Sequence, residues 1–231
     1  MGKDIIVNCG RRETRAAFLE DRRVVEGYIE RAGQQRVVGN IYKGKVENVL
    51  PGMSAAFVNI GLERNAFLYV DDARDYEKLV ANGKGKAKNG RSKARGISDV
   101  LKQGQSIIVQ VTKEPIGTKG ARVVTHLTIP GRYLVLMPTV EHVGVSRRIQ
   151  DEKERERLKK LAKELKPKGM GLIVRTLAEG QSQEELEQDI KFLTKVWEQI
   201  QRQGKRSSAP ALLYKDHDLV FRLIRDCFSR E

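Results

Sequence analysis

The sequence predicts an α+β protein of several subdomains, with a small β-barrel in its first half and a layer of strands and helices in its second. Three observations support this. Short β-branched or apolar runs punctuated by glycine fill residues 4 to 127. Two charged segments carry apolar stripes at helical spacing, one over Asp151 to Leu165 and one opening at Ser182. Two compact apolar runs, Tyr133 to Met137 and Gly171 to Arg175, read as buried strands beside those helices.

The first three runs, 4 to 9, 14 to 20 and 22 to 30, are divided by Gly10-Arg11-Arg12 and Asp21-Arg22 and predict an antiparallel meander, too small to close a domain alone. Five more runs come next, Ile41 to Val49, Ala55 to Ile60, Ala66 to Val70, Ser106 to Val111 and Ala121 to Leu127, and these suit a small barrel. The stretch Asn82 to Gly96 interrupts them with six basic residues and no acid. It reads as a loop, either an electrostatic arm for phosphates or a solvated insertion. In the second half, Leu158, Leu161, Ala162 and Leu165 share a helix face that Pro167 and Gly169 terminate. Ser182 and Glu185 form a capping box before a stripe of Leu186, Ile190, Leu193, Trp197 and Ile200, which makes Trp197 a core residue rather than a stacking platform. Gly204 to Pro210 reads as a linker, and Asp218 to Phe228 opens an element with no closing signal before Glu231, so that the ending reads as a cut.

The 231 residues carry 44 Lys and Arg against 30 Asp and Glu, a net charge of +14, while 39% are hydrophobic. A folded core with a polyanionic partner is implied, and charge alone does not separate nucleic acid from an acidic membrane. No apolar run approaches the roughly 18 residues of a membrane span or has the pattern of a signal peptide, so the expected location is cytoplasmic. Cys9 and Cys227 share no metal-ligand spacing with His126, His142 or His217 and are expected to be core thiols.

The densest local pattern is Lys43-Gly-Lys-Val46, Gly52-Met-Ser-Ala-Ala-Phe57-Val58, Gly61 and Asn65-Ala-Phe67-Leu68. On adjacent strands of a barrel, Phe57 and Phe67 can stack on unpaired bases, with Lys43, Lys45 and Arg64 near the phosphates. Such stacking contributes about 1 to 3 kcal/mol per base and ignores sequence. On the residues alone, the favoured reading is that both rings point into the barrel core.

Taken together, Asn40-Ile-Tyr-Lys-Gly-Lys45, Ala55-Ala-Phe-Val58, Gly61-Leu-Glu-Arg64, Tyr133-Leu-Val-Leu-Met-Pro138, Ser146-Arg-Arg-Ile149 and Gly169-Met-Gly-Leu-Ile-Val-Arg-Thr176 resemble the ribonuclease E/G family over nearly the whole chain. The resemblance implies an OB-fold of the ribosomal protein S-one type over 39–125, inserted in a ribonuclease-H-like subdomain split between 1–38 and 215–231, and a 5′-sensor domain of α+β type over 126–214. It implies that Phe57, Phe67 and Lys119, the last within Gly117-Thr-Lys-Gly120, contact RNA, and it favours base contact for the phenylalanines. It assigns a 5′-phosphate sensor to Arg175 and Thr176 with main-chain amides around Gly131 and Val135; Arg147 and Arg148 nearby are weaker candidates for phosphate contact, equally readable as ordinary surface charge. A planar guanidinium, a hydroxyl and main-chain N–H groups suit a terminal monophosphate.

The implied partner is therefore single-stranded RNA with a 5′-monophosphate, and the implied role is RNA processing and decay. In the family, hydrolysis depends on a later domain where two aspartates hold magnesium, and a cysteine motif binds zinc between subunits. Neither motif occurs in these residues, so no catalytic or metal-binding residue is expected here and the fragment is expected to be inactive alone. Magnesium, zinc and homo-oligomerisation are expected of the full-length parent. The alternative reading is a stand-alone, non-catalytic RNA- or ribosome-binding regulator.

Overall fold

The computed structural model describes residues 2–32, 36–73 and 96–227. The basic stretch from Asn82 lies outside them except for Gly96. The chain divides into two compact units, Met1–Val37 with Asp216–Glu231, and Val38–Lys215.

The first unit is an antiparallel meander of β1 (Lys3–Cys9), β2 (Glu13–Glu20) and β3 (Arg23–Arg31), in that order across the sheet. The tight β2–β3 turn places Asp21 and Arg22 at φ 48° and 65°, the left-handed region that aspartate tolerates better than most residues. A helix over Leu219–Cys227 lays Leu219 and Leu223 against Ala16, with Ile5 and Tyr28 beside them. Its first turn is held by Glu30, whose carboxylate accepts from Leu219 N–H at 2.9 Å. The cysteines depart from expectation: Cys9 is exposed and Cys227 half-buried. Cys9 ends a strand whose residues are mostly exposed, so its apolar neighbours in sequence bring no core around it.

The second unit starts with a closed barrel of β4 (Ile41–Leu50), β5 (Ala55–Asn59), β6 (Ala66–Tyr69), β7 (Ser106–Lys113) and β8 (Arg122–Val124). The strands run in the order β4-β5-β6-β8-β7, and β7 returns to pair with β4. One contact, β6 with β8, is parallel. This five-stranded closed barrel is consistent with an OB-like fold. Val46, Ala56, Val58, Ala66, Leu68, Val109 and Val123 fill its interior. Gly44 is required there, since a Cβ would lie 2.5 Å from Val58 Cγ1. The last strand is shorter than the expected Ala121 to Leu127.

Beyond the barrel lies a four-stranded sheet of β9 (Ile129–Pro130), β10 (Leu134–Met137), β11 (Val143–Val145) and β12 (Gly171–Val174), in the order β11-β12-β10-β9. Helices α1 (Glu152–Leu165) and α2 (Gln183–Arg206) cover it. Asp151 caps α1 by accepting from Lys153 N–H and Glu154 N–H, and Ser182 with Glu185 forms the predicted capping box of α2. The α2 stripe, including Trp197 at 3% exposure, joins Leu134, Leu136, Leu172 and Val174 in one apolar core. Each such fully buried side chain contributes about 1.5 to 3 kcal/mol of hydrophobic stabilisation.

Of the expected Gly204 to Pro210 linker, Ser207 to Pro210 connect to the next strand, but the residues to Arg206 are instead the end of α2. Gly204 is buried there, where a Cβ would sit 3.3 Å from Ile108 Cδ1 and 3.4 Å from Leu213 Cδ1, so glycine permits the helix to approach the barrel closely. The chain then forms β13 (Ala211–Tyr214), which adds antiparallel to β4. β13 thus extends the barrel's sheet, while β9 to β12 form a separate sheet within this unit.

Candidate nucleic-acid interface

Strand register settles where the two phenylalanines point. Ala56, Val58, Ala66 and Leu68 occupy the barrel interior, so Phe57 and Phe67, each between two of them, emerge on the outer face and are half-buried. They are direct cross-strand partners, edge to face, with centroids 5.9 Å apart at 71°. A bulge between Val46 and Asn48 shifts β4 so that Asn48 pairs with Phe57. On the other side Phe67 pairs with Arg122 of β8, which pairs with Lys113 of β7. One row, Asn48–Phe57–Phe67–Arg122–Lys113, therefore crosses all five strands.

This row floors a cleft of about 810 Å³. Its walls are the β4–β5 turn, through Met53, and the β7–β8 loop, through Ile116, Thr118, Lys119 and Gly120. Met53 and Ile116 are 57% and 73% exposed, extending the apolar floor toward solvent. The loop is fixed at two points. Arg64 Nη1 donates to Thr118 O at 2.6 Å. Gly120 lies so close to β6 that a Cβ would stand 2.0 Å from Asn65 O. Lys119, held between by its main-chain bonds to Ile116, projects at the rim with exposed Lys113. Arg122 is partly neutralised by Asp72, at 2.8 Å. An aromatic floor with a basic rim suits unpaired bases and their phosphates.

The expected contacts are thus placed differently. Phe57, Phe67, Arg64 and Lys119 come together in the cleft, with Arg64 acting first as a loop anchor. Lys45 is exposed on β4 opposite Asn59 and does not line the cleft. Lys43 Nζ donates to Gly204 O and Ser207 O, both at 2.9 Å, and so caps the end of α2. Asn48, Met53, Lys113, Ile116 and Arg122 also line the cleft, without having stood out in the sequence. Arg122, within the apolar run Ala121-Arg122-Val123-Val124, was the one polar residue there that could mark the outer face of that strand.

The Arg175 and Thr176 segment comes directly after β12. Arg175 Nη1 donates to Gly131 O at 2.6 Å, and its main-chain N–H to Tyr133 O at 2.8 Å. Gly131 N–H donates to Leu134 O, so the direct partner Gly131 offers Arg175 is its carbonyl. Val135, half-buried on β10, pairs with Pro130 and Ile173. Thr176 Oγ1 lies 2.9 Å from Ser146 Oγ, which also accepts from Arg148 N–H at 3.3 Å. The Ser146–Ile149 loop is itself tied down by Arg155, donating to Ser146 O and Ile149 O. Arg147 and Arg148 remain exposed beside Thr176. The Thr176 and Ser146 hydroxyls and the Arg175 guanidinium thus lie at the end of β12.

Among the described residues no three His, Cys, Asp or Glu side chains converge as a metal-binding group.

A model described as the "Ribonuclease E/G family" matches residues 128–231. Ribonuclease G of Escherichia coli K12 is 45% identical over 231 residues, covering 100% of this chain and 46% of its own length. Ribonuclease G of Haemophilus influenzae is 43% identical over 223 residues, covering 96% of this chain and 45% of itself. Ribonuclease E of a Nostoc species is 44% identical over 232 residues, covering 100% of this chain and 31% of itself. The chain spans less than half the length of these curated relatives.

Proposed function

Because this chain belongs to the ribonuclease E/G family, we propose that it is the RNA-engaging portion of a single-strand-specific bacterial endoribonuclease of RNA processing and decay. The barrel, read as an OB-fold of the S-one type, holds the strand by stacking bases on Phe57 and Phe67, while Lys113 and Lys119 meet the phosphates. Arg175 and Thr176 engage a 5′-monophosphate. The unit formed by the two chain ends is part of a ribonuclease-H-like subdomain. Magnesium-dependent hydrolysis belongs to the parent's nuclease domain, and the residues of this chain bind and orient.

The observation that carries this reading is the row of Asn48, Phe57, Phe67, Arg122 and Lys113 across the barrel, an aromatic pair continuous with basic side chains. End recognition adds positioning: binding energy realised at the terminus fixes the scissile bond elsewhere on the strand. The test compares one short RNA carrying a 5′-monophosphate, a 5′-hydroxyl or a 5′-triphosphate, at fixed salt, on this chain and on Arg175→Ala. The monophosphate should bind tighter by about 1.5 to 3 kcal/mol, the range for hydrogen bonds to charged groups, and the substitution should erase the margin. Equal binding of all three ends would sink the sensor assignment and leave the cleft; no binding of any would sink both.

A further inference from the structure

The turn Gly131–Leu134 is gripped from two sides. On one side the Asp189 carboxylate, projecting from α2, accepts three main-chain N–H groups: Arg132 at 3.2 Å on Oδ1, and Tyr133 and Leu134 at 2.9 Å each on Oδ2. On the other side the turn's carbonyls face Arg175, with Gly131 O taking the guanidinium and Tyr133 O the main-chain N–H. The carboxylate sits so close that a Cβ on Gly131 would meet both Asp189 oxygens at 2.6 Å. Three charge-assisted bonds from consecutive amides to one carboxylate form a rigid nest, stronger than neutral turn contacts.

Resting on the sensor reading above, we propose that Asp189 is the positioning residue of the 5′-end site. It touches no phosphate. It holds the turn so that Gly131 O fixes the guanidinium of Arg175 in the orientation that meets a terminal monophosphate. A helix residue far from Arg175 in sequence thereby becomes a determinant of end specificity. The carboxylate suits this role better than an amide would, because asparagine offers one acceptor oxygen where three N–H donors converge.

The experiment measures Kd for one short RNA with a 5′-monophosphate and with a 5′-hydroxyl, on the unsubstituted chain, Asp189→Asn, Gly131→Ala and Arg175→Ala, alongside thermal melting. Gly131→Ala displaces the carboxylate without removing its charge. The unsubstituted chain should prefer the monophosphate by about tenfold or more. Asp189→Asn and Gly131→Ala should both cut that ratio to about twofold or less while the hydroxyl-ended RNA binds as before. A merely structural role would lower the melting temperature and weaken both RNAs together, and that result overturns the proposal. So does a ratio kept by Asp189→Asn and Gly131→Ala but lost by Arg175→Ala, which leaves the sensor reading standing. No end preference in the unsubstituted chain overturns both. Where Asp189→Asn fails to fold, the Gly131→Ala ratio decides.

Discussion

Replacing Phe57 with alanine tests whether the barrel's outer aromatic pair is for binding or for folding. Phe57 is half-buried on the outer face and meets Phe67 edge to face at 5.9 Å. Its loss removes that pair, about 0.5 to 1.5 kcal/mol, and only part of a side chain's burial, so unfolding free energy should fall by about 1 to 2 kcal/mol. Leu68, the next residue after Phe67, is 0% exposed in the interior. Leu68→Ala should cost about 2 to 5 kcal/mol, because it empties packed volume. Binding should rank the two in reverse. A lost stacking platform weakens single-stranded RNA by about 1 to 3 kcal/mol, roughly 5- to 150-fold in Kd, whereas Leu68→Ala, measured where it is still folded, should bind nearly as the unsubstituted chain does. Urea melts and fluorescence anisotropy with a 5′-hydroxyl RNA, in one buffer, give both numbers. If Phe57→Ala unfolds as readily as Leu68→Ala and keeps its affinity, the ring is core and the cleft is not a nucleic-acid site.

Lys113→Met combined with Lys119→Met should flatten the salt dependence of single-strand binding by about 1.4 in log–log slope, at about 0.7 per phosphate contact, as read from titrations between low and moderate salt; an unchanged slope places the phosphates elsewhere. Lys43→Met strips the cap from Gly204 O and Ser207 O and should destabilise the second unit by about 1 to 3 kcal/mol with little change in RNA affinity. The reverse pattern, affinity lost and stability kept, would make Lys43 a phosphate contact instead. The hydrogen bond from Arg157 holds the Glu154 carboxyl below the usual carboxylate range against opposing desolvation, with Gly180 N–H and the Arg157 charge assisting. Its folded value being depressed, the stabilisation is present above the ordinary glutamate value and is lost as pH falls through the folded one. Glu154→Gln should therefore melt earlier than the unsubstituted chain at neutral pH, and the gap should close in acid; a gap independent of pH would refute the ion-pair origin.

The parts of this fold that sequence reveals are those whose local chemistry and tertiary role agree. Ser182 and Glu185 announce α2 because a capping box satisfies orphan amides whatever the helix packs against. The meander shows because polar turns at Gly10–Arg12 and Asp21–Arg22 bracket runs of strand length. By contrast β9, β11 and β13 span only two to four residues and exist through pairing with distant strands, which no local period records. Gly204 misled because glycine ordinarily weakens a helix by about 1 kcal/mol; here the close approach to Ile108 and Leu213 decides. The cleft was half legible. In Ala55-Ala56-Phe57-Val58 both parities are apolar, so alternation cannot say which face Phe57 takes. The bulge between Val46 and Asn48 and the cross-strand partners decide it, and they also separate Lys43, drawn to α2, from the strand end that reaches the cleft.

That separation bears on how the two proposed sites would act on one strand. On the proposed reading, stacking on Phe57 and Phe67 discriminates poorly among sequences, and a terminal phosphate marks an end while carrying no information about the bases behind it. Within Val38–Lys215, β13 pairs with β4 and Lys43 ties β4 to the end of α2, the helix that carries Asp189. The Gly131–Leu134 turn, held by Asp189 of that helix, and the barrel are thus joined by a sheet pairing and a capped helix rather than by a flexible tether. On the proposed reading, an RNA held at its terminus presents its downstream bases to the barrel at an effective concentration fixed by that rigid spacing. The gain is lost for strands too short to span both sites, so end preference depends on RNA length as much as on the terminal group.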